Sequence, residues 1–198
     1  KMITGVLKPD ENGGTVTLNG ISMAARPLEA KKQFGFVTDN PDQFLRLKGM
    51  EYLNFMADMY EVSQAQRQER ICKFAEQFGM TDALQDKIQS YSHGMRQKIM
   101  VMGALLHNPS IWILDEPLTG LDPKSAFALK EMMKEHAASG RSVLFSTHVL
   151  EVAEKLCDRV IIINQGQIVY QGTLDRLKET YPDTASLEDI FLELTGHE

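Results

Sequence analysis

The order of apolar and polar segments predicts an α/β fold: a parallel sheet flanked by helices, with a helical subdomain and a small antiparallel β portion. Three observations predict it. The short uninterrupted apolar runs "IWIL" (111–114) and "SVLF" (142–145) read as strands buried on both faces. The stretch between them has helical character and supplies the crossover that parallel strands need. Near the chain's end, "RVIIIN" (159–164) and "QIVYQG" (167–172) flank Gln165-Gly166, the mark of a hairpin.

Each element has its own local reason. Gly13-Gly14 breaks the chain, and Thr15 to Leu18 alternate polar with apolar, which reads as a strand. "FGFV" (34–37) is a second short strand, followed by the loop residues Asp39-Asn40-Pro41-Asp42. Residues 50–60 carry Met, Leu and aromatics at helical spacing, and 64–78 form a charged amphipathic helix. Ser92 caps a helix that runs to about Leu106, where Asn108-Pro109 stops it. Asp122 caps the next helix, with Pro123 at its first position, and Gly140 ends it. "HVLEVAEKL" is helical, and two further helices are expected at about 173–179 and 186–195. The chain has neither an internal repeat nor a low-complexity tract.

Bulk properties narrow the function. The 198 residues suit one domain, 43% are hydrophobic, and 24% are charged, so a core can form. Net charge is −6 and no dense Lys/Arg run occurs, so a phosphate-backbone footprint for duplex DNA is not indicated and no nucleic-acid partner is expected. No apolar stretch approaches the ~18 residues of a membrane-spanning helix, and "KMITGVLKPD" lacks a secretory core. Cys72 and Cys157 stand alone, as two reduced thiols of a cytosolic chain do.

The chemistry gathers at the strand ends. In parallel α/β sheets, ligands bind beyond the carboxyl ends of strands. Asp115 and Glu116 follow "IWIL" directly. Asp115 offers the hard oxygen that magnesium prefers, and Glu116 is suited to orient or deprotonate a water. Taken alone, the pair is explained as well by a turn cap and a solvated acid. His148 follows the neighbouring strand, where one imidazole donor could hold a terminal phosphate oxygen; alone, it is a surface residue. Ser92 and Gly94 open a helix whose free N–H groups favour an anion; alone, this is an ordinary cap. Together the four pieces describe nucleoside triphosphate hydrolysis.

In that order the pieces resemble the ATP-binding subunit of an ABC transporter, of the antibiotic and multidrug exporter branch. "IWILDEP" is similar to the Walker B strand, "LTGLDP" to the D-loop, "STH" to the switch histidine, "YSHGMRQK" to the signature and "GFVTDNPDQF" to the Q-loop. The C-terminal "LEDIFLELTG" is similar to the end of that branch, so the resemblance spans essentially the whole chain. It implies a P-loop NTPase-like fold in a single ABC ATPase domain, 1–198. Within it, 40–100 would be the helical subdomain, 101–172 the catalytic core and 173–198 the C-terminal helices. It implies that ATP and Mg2+ are bound. Asp115 and Asp39 would hold the metal, Glu116 would polarise the attacking water, and His148 would contact the γ-phosphate. Ser92, His93, Gly94 and Asp122 would serve the nucleotide of a second subunit in a head-to-tail dimer. A membrane permease would dock near the Q-loop and hold the protein on the inner face of the cell membrane.

The resemblance has two departures and one gap. Asp39 stands where the Q-loop glutamine is usual, adding negative charge beside the triphosphate. His93 and Met95 replace the usual Gly and Gln of the signature. His93 would either donate to phosphate or point to solvent. The 198 residues contain no G-x-x-x-x-G-K-[ST] stretch. The expectation is a fragment lacking the N-terminal strand and phosphate loop, inactive by itself and with an exposed sheet edge. Two other functions are weighed. A soluble ABC ATPase without a permease would need, for DNA repair, a long insertion that Asn40 to Tyr91 does not hold, or, for ribosome work, a second cassette. A non-catalytic regulatory module would bind ATP without turnover, which Glu116 and His148 oppose.

Overall fold

The computed structural model describes residues 1–10, 13–181 and 186–196, in two units, Lys1–Ser146 and Thr147–Glu198. The first unit begins with an antiparallel pair, β1 (Thr17–Leu18) and β2 (Ile21–Ser22), joined through Asn19 and Gly20 at positive φ. The expected strand over 15–18 is thus shortened, and β2 was not expected: two residues are too few for an alternating pattern to show. The turn expected before it includes residues 11 and 12, which lie outside the described residues. A five-residue helix, α1 (Pro27–Lys31), follows and was likewise too short to announce itself.

The parallel sheet starts with β3 (Phe34–Val37). Next come α2 (Gly49–Met59) and α3 (Gln64–Phe78), then two 3-10 turns at 82–85 and 88–90. The Glu51 carboxylate accepts the Lys48 amide at 2.8 Å at the start of α2. Ser63 caps α3, and Gly79 ends it at φ +62. Then α4 (His93–Leu105) buries most of its length, including Ile99, Val101, Met102 and Ala104. It lies hard against β3: a Cβ on Gly35 would stand 2.1 Å from the Ala104 carbonyl oxygen. Only glycine permits that approach.

Just past α4, His107 stacks on Tyr60, rings 3.7 Å apart and 5° from parallel. Its Nε2–H donates to the Phe34 carbonyl oxygen at 3.1 Å. Burial holds its pKa down at about 4, so the ring is neutral.

The sheet continues with β4 (Ile111–Asp115), crosses over through α5 (Pro123–Ala138) and returns as β5 (Ser142–Ser146). Order β3-β4-β5 is parallel throughout, with Val37 beside Leu114 and Asp115 beside Ser146. Trp112 at the centre of β4 is fully buried. The expectation that every strand would be covered on both faces is corrected at β5, where Leu144 is 41% exposed. Within its sheet β5 is an edge, paired on one side by β4. Apolar content alone does not reveal which strand is outermost.

The second unit contains α6 (Leu150–Leu156), β6 (Arg159–Asn164), β7 (Gln167–Thr173), α7 (Leu174–Thr180) and α8 (Leu187–Thr195). The hairpin forms as expected, with Gln165 and Gly166 both at positive φ, the turn that suits strand twist. Val160, Ile162, Leu177, Leu187 and Ile190 make its core. Thr173 and Ser186 cap α7 and α8. Residues 182–185 and 197–198 of the expected C-terminal segment lie outside the described residues.

Candidate active site

At the mouth of the parallel sheet, β4 ends on Asp115 and the chain turns sharply at Glu116. Glu116 has φ +46, a left-handed conformation that costs a non-glycine residue about 1–2 kcal/mol. The surroundings hold it there. The Glu116 amide donates to Ser146 Oγ at 3.1 Å, and the Ser146 hydroxyl donates to Asp115 Oδ1 at 2.5 Å. From α4, Gln97 Nε2 donates to the Pro117 carbonyl oxygen at 3.4 Å. Gln97 is 1% exposed, and its Oε1 has no hydrogen-bond partner among the described residues. The loop closes with the Thr119 amide on the Glu116 carbonyl at 3.2 Å.

The start of α4 packs on the far side of this loop. Ser92 caps it, accepting the Met95 amide at 3.3 Å, as expected. A Cβ on Gly94 would stand 2.9 Å from the Gly120 carbonyl oxygen. The ring of His93 rests on Gly120: a Cβ there would stand 2.2 Å from His93 Cδ2. Gly120 itself has φ +75, so glycine is required twice over. The ring's resting place on the chain's own loop is a contact that the sequence reading did not include.

Lys98 and Asp122 close the same junction, Nζ to Oδ2 at 3.3 Å. Asp122 caps α5 by accepting the Ser125 amide at 3.0 Å and the Ser125 hydroxyl at 2.5 Å. These bonds, led by the Ser125 hydroxyl and joined by Lys98, hold its carboxyl well below the usual carboxylate range.

Asp39 is exposed, two residues past β3. Register carries it out at the same end of the sheet as Asp115 and Glu116. Its loop is tied down by neighbours. Asp42 N donates to Asn40 Oδ1 at 2.9 Å, and Gln43 Nε2 donates to Thr38 Oγ1 at 3.0 Å. Arg96 holds Asp42 at 2.6 Å while donating to the Gln89 carbonyl at 2.8 Å. His148 lies two residues after Ser146 and belongs to the second unit, where the Val149 amide donates to Thr147 Oγ1 at 3.1 Å.

The first unit therefore brings Asp115, Glu116, Ser92, His93, Gly94 and Asp122 into one linked junction of β4, α4 and the loop before α5. Sequence reasoning missed Ser146, Gln97, Lys98 and Arg96 as supports. One signal was legible for Gln97: a glutamine amid the apolar face of a buried helix.

Among the described residues, no three His, Cys, Asp or Glu side chains stand together as a cation cage. The fit for magnesium is of another kind. Asp115 presents a half-exposed hard carboxylate at the sheet mouth, oriented by a hydroxyl. One or two carboxylates suffice for a cation that keeps its waters and takes phosphate oxygens. No helix among the described residues is long and apolar enough to cross a membrane.

Comparison with known proteins accords with this geometry. Residues 1–119 match the family model described as ABC transporter. The chain is 38% identical over 201 residues to the ABC-type transporter ATP-binding protein EcsA of Bacillus subtilis (strain 168), covering 99% of this chain and 81% of that protein. It is also 38% identical over 203 residues to the uncharacterized ABC transporter ATP-binding protein YdbJ of the same organism, covering 100% of this chain and 64% of that protein. A solved structure described as an ATP binding subunit of an ABC transporter superposes with a TM-score of 0.93 at 34% identity. That match covers 99% of this chain and 81% of the other.

Proposed function

The chain belongs to the ABC transporter family of ATP-binding proteins, and from that premise we propose that it hydrolyses ATP to power a membrane exporter. The observation that carries the reading is the acidic turn: a strand-end carboxylate, Asp115, beside a second acid, Glu116, held in a left-handed conformation by its neighbours.

In this reading Asp115, aided by Asp39, would hold Mg2+, which when bound would neutralise charge on the phosphates. Glu116 orients the attacking water and accepts its proton as the water's oxygen bonds to the γ-phosphorus; the bond from that phosphorus to the β,γ-bridging oxygen breaks, and ADP and inorganic phosphate leave. His148 donates to the γ-phosphate, stabilising charge as it develops. Ser92, His93, Gly94 and Asp122 face the nucleotide of a second copy, so two chains complete two sites.

The permease would seat near Phe44 and Phe55, whose rings lie 5.8 Å apart and which are 41% and 43% exposed. Met59, 59% exposed, supports the same seat. Attachment to the membrane then comes through that partner.

The test uses the full-length gene product with Mg2+ and ATP. Glu116→Gln should keep ATP binding, lose turnover by about 100-fold or more and accumulate as an ATP-bound dimer. Turnover close to that of the unsubstituted protein would overturn the reading. ATP binding without turnover in the unsubstituted protein would indicate a regulatory module. Stimulation of turnover by a membrane permease partner would separate a transporter subunit from a soluble ATPase.

A further inference from the structure

Ser146 has no role in the reading above, yet its hydroxyl touches both acids of the turn. It accepts the Glu116 amide at 3.1 Å and donates to Asp115 Oδ1 at 2.5 Å. Both bonds cross from β5 to β4 at the last pair of their register, Asp115 beside Ser146. One small group thus joins the backbone of one acid to the side chain of the other. A hydroxyl is suited to this because it is donor and acceptor at once. Alanine or valine there would leave the Glu116 amide without its acceptor and the Asp115 carboxylate free to rotate.

Position matters because Glu116 leaves the strand at φ +46. Such a conformation persists only where its surroundings over-determine it. Ser146 grips the peptide entering Glu116, and Gln97 grips the carbonyl of Pro117 just beyond it. A general base must lie within hydrogen-bond reach of its water, and a misplacement of ~1 Å can cost ~100-fold in rate.

We propose that Ser146 is a positioning residue of the hydrolytic site: its hydroxyl sets the direction of the Asp115 carboxylate and the backbone of Glu116 together. The proposal rests on the reading of Glu116 as the acid that meets the attacking water. Ser146 also ends the strand that leads, two residues later, to His148.

The test uses the full-length protein with Ser146→Ala, Ser146→Thr and Ser146→Cys beside Glu116→Gln. Ser146→Ala should lower kcat ~10-fold or more while ATP affinity and the unfolding midpoint change little. Ser146→Thr, keeping the hydroxyl, should restore most of the rate, and Ser146→Cys should fall between. Hydrogen exchange at the Glu116 amide should quicken in Ser146→Ala in parallel with the loss of rate. A merely structural serine would move the midpoint and leave kcat per folded protein unchanged. Should Ser146→Ala fail to fold, the order of Thr, Cys and unsubstituted protein decides. Wild-type kcat in Ser146→Ala or, failing that, in Ser146→Cys, with turnover abolished in Glu116→Gln, overturns this proposal and leaves the function standing. Turnover intact in Glu116→Gln overturns the function itself.

Discussion

Lys98 Nζ lies 3.3 Å from Asp122 Oδ2, an ion pair that fastens the middle of α4 to the cap of α5. Asp122 serves two elements at once: it satisfies the Ser125 amide at the start of α5 and anchors the loop that follows Glu116.

Substitution should separate these duties. Asp122→Asn keeps an effective N-cap but loses the charge that Lys98 meets. Asp122→Ala loses both. Denaturant unfolding should show Ala lowering the midpoint clearly and Asn only slightly. Equal losses would mean that the cap is not the source of stability.

Gly120→Ala should be costly for two distinct reasons, the positive φ and the His93 ring. We expect a loss of about 2 kcal/mol or more. Adding His93→Ala should recover part of it, because the steric component disappears while the backbone strain remains. A double-mutant cycle with no coupling would contradict the contact.

Gly35→Ala tests the sheet's support. The new methyl would meet the Ala104 carbonyl oxygen and push α4 off β3. A loss of about 3 kcal/mol or more is expected, seen as insoluble protein or a much lower midpoint.

Acid should weaken the fold through His107. Its folded pKa of about 4 lies below the ordinary histidine value near 6.5. Between those values the unfolded chain binds the extra proton, so stability rises with pH across that window and is fully present above about 6.5. His107→Phe, which keeps a ring against Tyr60, should remove this component, on the order of 3 kcal/mol. The measurement is the difference between the two proteins' pH–stability curves. Parallel curves would show that His107 does not contribute.

Much of the fold was legible because its signals are local. Ser92 before α4, Asp122-Pro123 before α5 and Gly140 after α5 act within one helical turn, so their chemistry does not depend on distant neighbours. The hairpin at Gln165-Gly166 is likewise set by backbone preference. The short α1 and β2 were illegible because five residues and two residues carry too little periodicity. An exposed sheet edge was expected, but that β5 is the exposed strand was illegible, because strand order is a property of the sheet, not of the strand.

The acids followed the same division. Asp115 and Glu116 could be named from their place after an apolar run. Their supports could not: Ser146 is 31 positions from Asp115 and Gln97 is 20 from Pro117. Nothing in "LFSTH" distinguishes a serine that solvent meets from one that bridges two acids. His93 illustrates the limit further, since its ring rests on Gly120 in a loop far along the chain. Amino-acid order by itself determined which of the longer segments become strands and helices and which charged groups close them, because propensity and capping are contacts between near neighbours. Only the tertiary structure decided which hydroxyl meets which amide across β4 and β5. That choice depends on strand register, and register arises from packing the whole sheet at once.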